Sequence, residues 1–155
     1  MKTILVFLFA ASVFASPLQD DAVRKKHYNH SGSLAIEGYD PVSYFYGAPK
    51  KGSKDKSYTH KGITYYFTNG VYLDLFKKNP EKYEPQYGGW CAYAMGNDGS
   101  KVEVDPETYK LVDGKLYLFY NAYLTNTKKS WDKDETNLKT KADKNWAETL
   151  KKIKR

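Results

Sequence analysis

The chain has 155 residues, 25 Lys and Arg against 18 Asp and Glu, and a single cysteine. One cysteine excludes an internal disulfide, so the fold must stand on packing, for which a chain of this length is sufficient. The formal charge of +7 comes from lysines scattered along the sequence, densest in "TLKKIKR"; such scatter marks a solvated face rather than a nucleic-acid stripe, and nucleic acid is not an expected partner.

The chain opens "MKTILVFLFAASVFASPLQDD". Lys2 supplies a positive start, Ile4 to Phe14 an apolar run, and Val13 and Ala15 the small-residue pattern of a cleavage site. Residues 1–15 are therefore expected to be a signal peptide cut after Ala15, and the protein to be secreted or periplasmic. The run is shorter than the about 20 residues that span a bilayer, so no stable membrane insertion is expected after cleavage. Residues 16–33, "SPLQDDAVRKKHYNHSGS", are polar without apolar periodicity and read as a flexible lead-in. His27 and His30, with Asp20 and Asp21, resemble an amino-terminal metal-scavenging tract, but a solvated tail accounts for them more simply.

Residues 34–155 read as one domain. Leu34 and Ile36 suggest a short strand entering a turn at Gly38 to Pro41, followed by an aromatic run from Val42 to Tyr46. "GAPKKGSKDKS" reads as a surface loop. "YTHKGITYYFT" predicts a hairpin with Lys61-Gly62 at its turn. Asn69 is placed to cap the helix that follows. Asn79 caps a second helix with Pro80 in its first turn. Gly88 and Gly89 permit a sharp turn or a close approach by another group, and Ala92 to Met95 fit a helical turn ending at Gly96. "YKLVDGKLYLF" predicts a second hairpin turning at Asp113-Gly114. Asn121 is expected to cap another helical stretch. A last helix is expected from about Glu135 to Ile153, with Leu138, Ala142, Trp146, Leu150 and Ile153 on one face. These elements predict a compact α+β domain of short hairpins, several helices and an amphipathic carboxy-terminal helix. Trp131 and Trp146 are expected to dock the last helices on the core. The fifteen tyrosines fit a partly polar core better than a dedicated binding surface.

The order "GYDPVSYF", "HKGITYYFTNGVYLDLFKKNPEKY", "PQYGGWCAYAM", "DPETYKLVDGKLYLFYN" and "W…KADKNW" resembles the longer, exported branch of the YHS domain family, over roughly residues 34 to 146. The resemblance implies the YHS fold. In the short members tied to heavy metals it also implies thiol ligands, and here Ser43, Thr68 and Tyr72 stand at or near those places. A hydroxyl is a poor soft-metal ligand.

Cys91 is the thiol that remains. The leading functional expectation is an exported protein that binds or delivers copper or another soft metal. Cys91 would be the primary ligand, with His60 and Met95 as helpers and Asp40 and tyrosines as further candidates. Met95 lies four residues beyond Cys91, on the same helical face, and Cys, His and Met together favour copper. The alternative is a noncatalytic module that binds a small ligand or an envelope protein and keeps Cys91 as a small buried apolar residue; on either reading the protein is expected to be monomeric or weakly associating. Catalysis has less support: His60 is the one histidine inside the expected domain, no group orients it, and no second cysteine is present for disulfide exchange.

Overall fold

A computed structural model describes residues 17–153; the expected signal peptide and its cut after Ala15 lie outside the described residues. The class is α+β, with six α-helices and three antiparallel strand pairs among the described residues. Helix α1 (Pro17–His27) comes first, followed by irregular chain with tight turns to Tyr46. Strands β1 (Ser53–His60) and β2 (Ile63–Phe67) form the first hairpin, with Lys61 and Gly62 both at positive φ in its turn. Helices α2 (Gly70–Lys78) and α3 (Pro80–Tyr83) follow. The Asn69 carboxamide accepts from the Tyr72 N–H and that of Asn79 from the Lys82 N–H, so both caps form where the sequence placed them.

Helix α4 (Ala92–Asn97) precedes the second hairpin, β3 (Asp105–Val112) with β4 (Lys115–Phe119), which turns at Asp113-Gly114. A small third hairpin, β5 (Asn121–Ala122) with β6 (Thr125–Asn126), leads into α5 (Thr127–Trp131) and α6 (Glu135–Ile153).

Strand β4 organises the interior. Its side chains alternate between faces, as any strand's must, and both faces are buried. Leu116 and Leu118 enter one half of the core with Val42, Ile63, Tyr65, Phe67 and Phe76. Tyr117 and Phe119 enter the other half with Met95, Trp131, Leu138 and Ala142. Two of the buried tyrosines bond their hydroxyls across the fold: Tyr44 donates to the Pro106 carbonyl at 2.7 Å and Tyr87 to Asp143 at 2.8 Å. The second half closes where α4 crosses α6. A Cβ on Gly96 would strike the Leu138 carbonyl, whose carbon would lie 3.0 Å away, so only glycine lets these helices approach so closely.

Four local expectations need correction. The lead-in over 16–33 contains α1. That helix has little apolar periodicity, yet Arg24 is buried against the domain, so tertiary contacts hold what local pattern does not announce. Leu34 makes only isolated bridges, to Ser31 and Thr64, and Ile36–Gly38 is a 3-10 turn with Ile36 and Glu37 at positive φ. The second half of the expected Lys-rich loop belongs to β1, paired through an irregularity between Ser53 and Ser57. Asn121 begins a strand, and the helix cap is Asn126, whose side chain accepts from the Lys128 N–H.

Candidate functional site

The two glycines before Trp90 shape a cleft. Tyr87, Gly88 and Gly89 have φ of 56, 63 and 86°, three successive residues in the left-handed region that favours glycine. This twist turns the Gly88 carbonyl to accept the Asn29 N–H at 2.8 Å, while the Asn29 side chain donates to the Gly89 carbonyl. It also brings the Gly88 backbone under the Trp146 indole: a Cβ there would lie 2.7 Å from Cη2. Trp146 meets Tyr28 edge to face, with ring centroids 5.6 Å apart.

A cleft of about 730 Å³ opens beside these rings. Tyr28, Tyr87, Gly88, Pro85, Trp146 and Leu150 supply its apolar lining, and Asp20, Asp21, Glu81, Glu84, Arg24 and Lys61 its charged lining. Arg24 is 6 % exposed. Its guanidinium pairs with Glu84, donates to the His60 carbonyl and lies 4.1 Å from the Tyr28 ring centroid. Burial alone would lower the Arg24 pKa, but Glu84, Tyr28 and Tyr65 together outweigh this and raise it, so the group stays firmly cationic. The Tyr65 hydroxyl also donates to Glu84, at 2.7 Å. This buried pair therefore carries the added hydrogen bonding that makes such pairs tolerable.

The three residues expected to bind metal are placed differently. Cys91 precedes α4 and is fully buried. The Tyr120 N–H donates to its sulfur at 3.4 Å, and Thr127 Oγ1 lies at 3.4 Å. The Thr127 hydroxyl gives its own proton to the Tyr120 carbonyl at 2.9 Å, which leaves the thiol as donor to Thr127. Both hydrogen-bonding roles of Cys91 are thus filled. Met95 is one turn away, its N–H bonded to the Cys91 carbonyl, and its side chain is 1 % exposed in the half-core around Trp131.

His60 does not join them. Its ring sits at the end of β1 near Tyr58 and Phe76, in the other half of the core. Burial is the main cause holding its pKa below the ordinary value, opposed by Glu84 and assisted by Arg24. Its Nε2 is buried without a hydrogen-bond partner. Among the described residues no three His, Cys, Asp or Glu converge as a metal would require.

Asp40 and the thiol-like positions are likewise engaged. Asp40 is fully buried; one carboxylate oxygen accepts the Val42 N–H at 2.9 Å, and the other accepts the Thr68 N–H and hydroxyl at 2.8 and 2.9 Å. The Ser43 hydroxyl donates to the Asp40 carbonyl at 2.7 Å. Ser43 and Thr68 therefore meet on one residue, held by hydrogen bonds. In the amino-terminal tract, His30 donates to the Lys25 carbonyl and accepts the Ser33 N–H, so both its nitrogens are used. His27 lies 3.2 Å from Lys101 Nζ, and burial followed by that cation lowers its pKa.

No protein-family model matches the chain, and neither a curated protein nor a solved structure is significantly similar to it. No helix of the described residues is long and apolar enough to cross a membrane. The cleft itself was not legible in the sequence, because its walls come from α1, the turn after β1, the segment after α3, and α6. The available signal was Gly88-Gly89, whose freedom anticipated a close approach without naming Trp146.

Proposed function

We propose that the chain is a noncatalytic binding module of YHS-like fold, whose ligand occupies the cleft between α1, α3 and α6 and whose Cys91 is structural. The observation that carries this reading is the cleft itself: about 730 Å³, lined by aromatic and apolar residues together with charged groups. That is the size and make-up of a small-molecule site. The YHS-like reading draws support from the meeting of Ser43 and Thr68 on Asp40, since the resemblance puts these positions at one ligand cluster. The copper-type reading would require the Cys91 sulfur to give up two hydrogen bonds inside a closed core.

The test is an NMR titration of the ¹⁵N-labelled protein with indole and p-cresol, small aromatic probes that suit the cleft's apolar lining. Shifts should be confined to Gly88, Gln86, Leu150 and the Trp146 indole N–H. Probes that shift a different surface, or none, would overturn the assignment of the cleft.

A further inference from the structure

We propose that the cleft selects a small organic ammonium ion, its apolar part resting on the Tyr28 and Trp146 rings and its charge facing Asp21 and Glu81; this rests on the reading of the cleft as the ligand site. The chain as a whole is +7, yet the cleft walls carry the opposite excess. Four carboxylates, Asp20, Asp21, Glu81 and Glu84, face Arg24 and Lys61. Arg24 and Glu84 neutralise each other. Three carboxylates then face one lysine, and none of the three is in an ion pair among the described residues. A concave, partly apolar wall focuses such a field and concentrates ligands of the opposite sign.

The rings supply the second half of the recognition. Aromatic faces attract cations, most strongly where water is excluded. The protein already uses this chemistry at the site: the Arg24 guanidinium rests on the Tyr28 ring at 4.1 Å. An anionic ligand would meet the carboxylate excess. A bare metal ion would leave the rings unused, and no trio of metal-ligating side chains converges among the described residues. An ion that is both cationic and hydrocarbon uses both kinds of lining group.

The experiment compares choline with its uncharged isostere 3,3-dimethylbutan-1-ol, following Gly88 and the Trp146 indole N–H by NMR. Choline should bind about ten-fold tighter or more, and its affinity should fall as sodium chloride rises. In the Asp21→Asn/Glu81→Gln variant, choline should weaken several-fold while the alcohol is unchanged. Equal binding of the two probes to the wild-type protein would overturn charge selection and leave the cleft as a site. Binding of neither at these resonances would overturn both readings. The wild-type comparison decides the matter even if the variant fails to fold.

Discussion

Cys91 Sγ and Thr127 Oγ1 lie 3.4 Å apart, and the direction of the bond between them follows from a third group. Thr127 spends its proton on the Tyr120 carbonyl, so the thiol is the donor, while the Tyr120 N–H donates back to the sulfur. The start of α4 is thereby pinned to the loop between β4 and α5. A thiol so used is part of the core's polar bookkeeping.

The first prediction concerns that thiol. Native protein should react with iodoacetamide only through opening of the fold, far more slowly than urea-unfolded protein. Cys91→Ala should cost about 1–2 kcal/mol, by leaving the Tyr120 N–H without its acceptor and opening a small void. Cu(I) titrations of wild type and Cys91→Ala should coincide. A stoichiometric site present in the first and absent in the second would restore the copper reading.

The second prediction separates two glycines. Gly88→Ala places a side chain at φ 63° and against Trp146. The backbone alone makes this cost about 1–2 kcal/mol, and the displaced indole should change tryptophan fluorescence and reshape the cleft. Gly96→Ala has no such backbone penalty but forces α4 from the Leu138 carbonyl, an overpacking cost of about 1–3 kcal/mol. Urea denaturation measures both. Loss of probe binding at the cleft should accompany only the first, and equal ligand effects would contradict the assignment of Gly88 to the cleft floor.

Much of the fold was legible because its signals were local. Lys61-Gly62 and Asp113-Gly114 sit at the turns of the two main hairpins with positive φ, and Asn69 and Asn79 cap the helices they precede. The last helix spans Glu135–Ile153 as its periodicity implied. Helix α1 was not legible, since its burial rests on Arg24 and Glu84, 60 residues apart, and on Tyr28 meeting Trp146. The candidate site was hidden for the same reason. Cys91 drew attention by being unique in the sequence, whereas the cleft is built from common residues made unusual only by their convergence.

The third prediction is about acid. Lys110 bridges Asp132 and Glu135, and Glu135 also accepts the Trp131 Nε1–H at 2.9 Å. Hydrogen bonding from Lys110 is the leading cause holding both carboxyls below their ordinary values of 3.8 and 4.5. Groups with depressed folded-state pKa contribute stability above the unfolded value and lose it as pH falls through the folded one. The contribution is therefore intact at neutral pH and fades below about 4.5. All three side chains are partly exposed, so the network contributes only about 0.2–1 kcal/mol. Lys110→Met should be slightly destabilised at pH 7 and should lose less stability than wild type between pH 5 and 3. Parallel stability curves would show that Lys110 is not the cause.

The fourth prediction comes from the tip of the third hairpin. Tyr123 and Leu124 form its two-residue turn with φ of 49 and 65°, and they are 93 % and 109 % exposed. A turn with positive φ at both central residues favours Asn-Gly, yet two bulky side chains occupy it and no packing compensates them. Exchanging the pair for Asn-Gly removes the left-handed penalty of about 1–2 kcal/mol at Leu124 and lowers that at Tyr123, since Asn tolerates this region better than Tyr, partly offset by the greater chain entropy of glycine when unfolded, roughly 0.5–1 kcal/mol. The variant should therefore unfold at higher urea concentration than wild type with the same slope, because the surface exposed on unfolding scarcely changes. A lower midpoint would mean that Tyr123 or Leu124 makes a stabilising contact in solution, and that the left-handed turn is sustained by it.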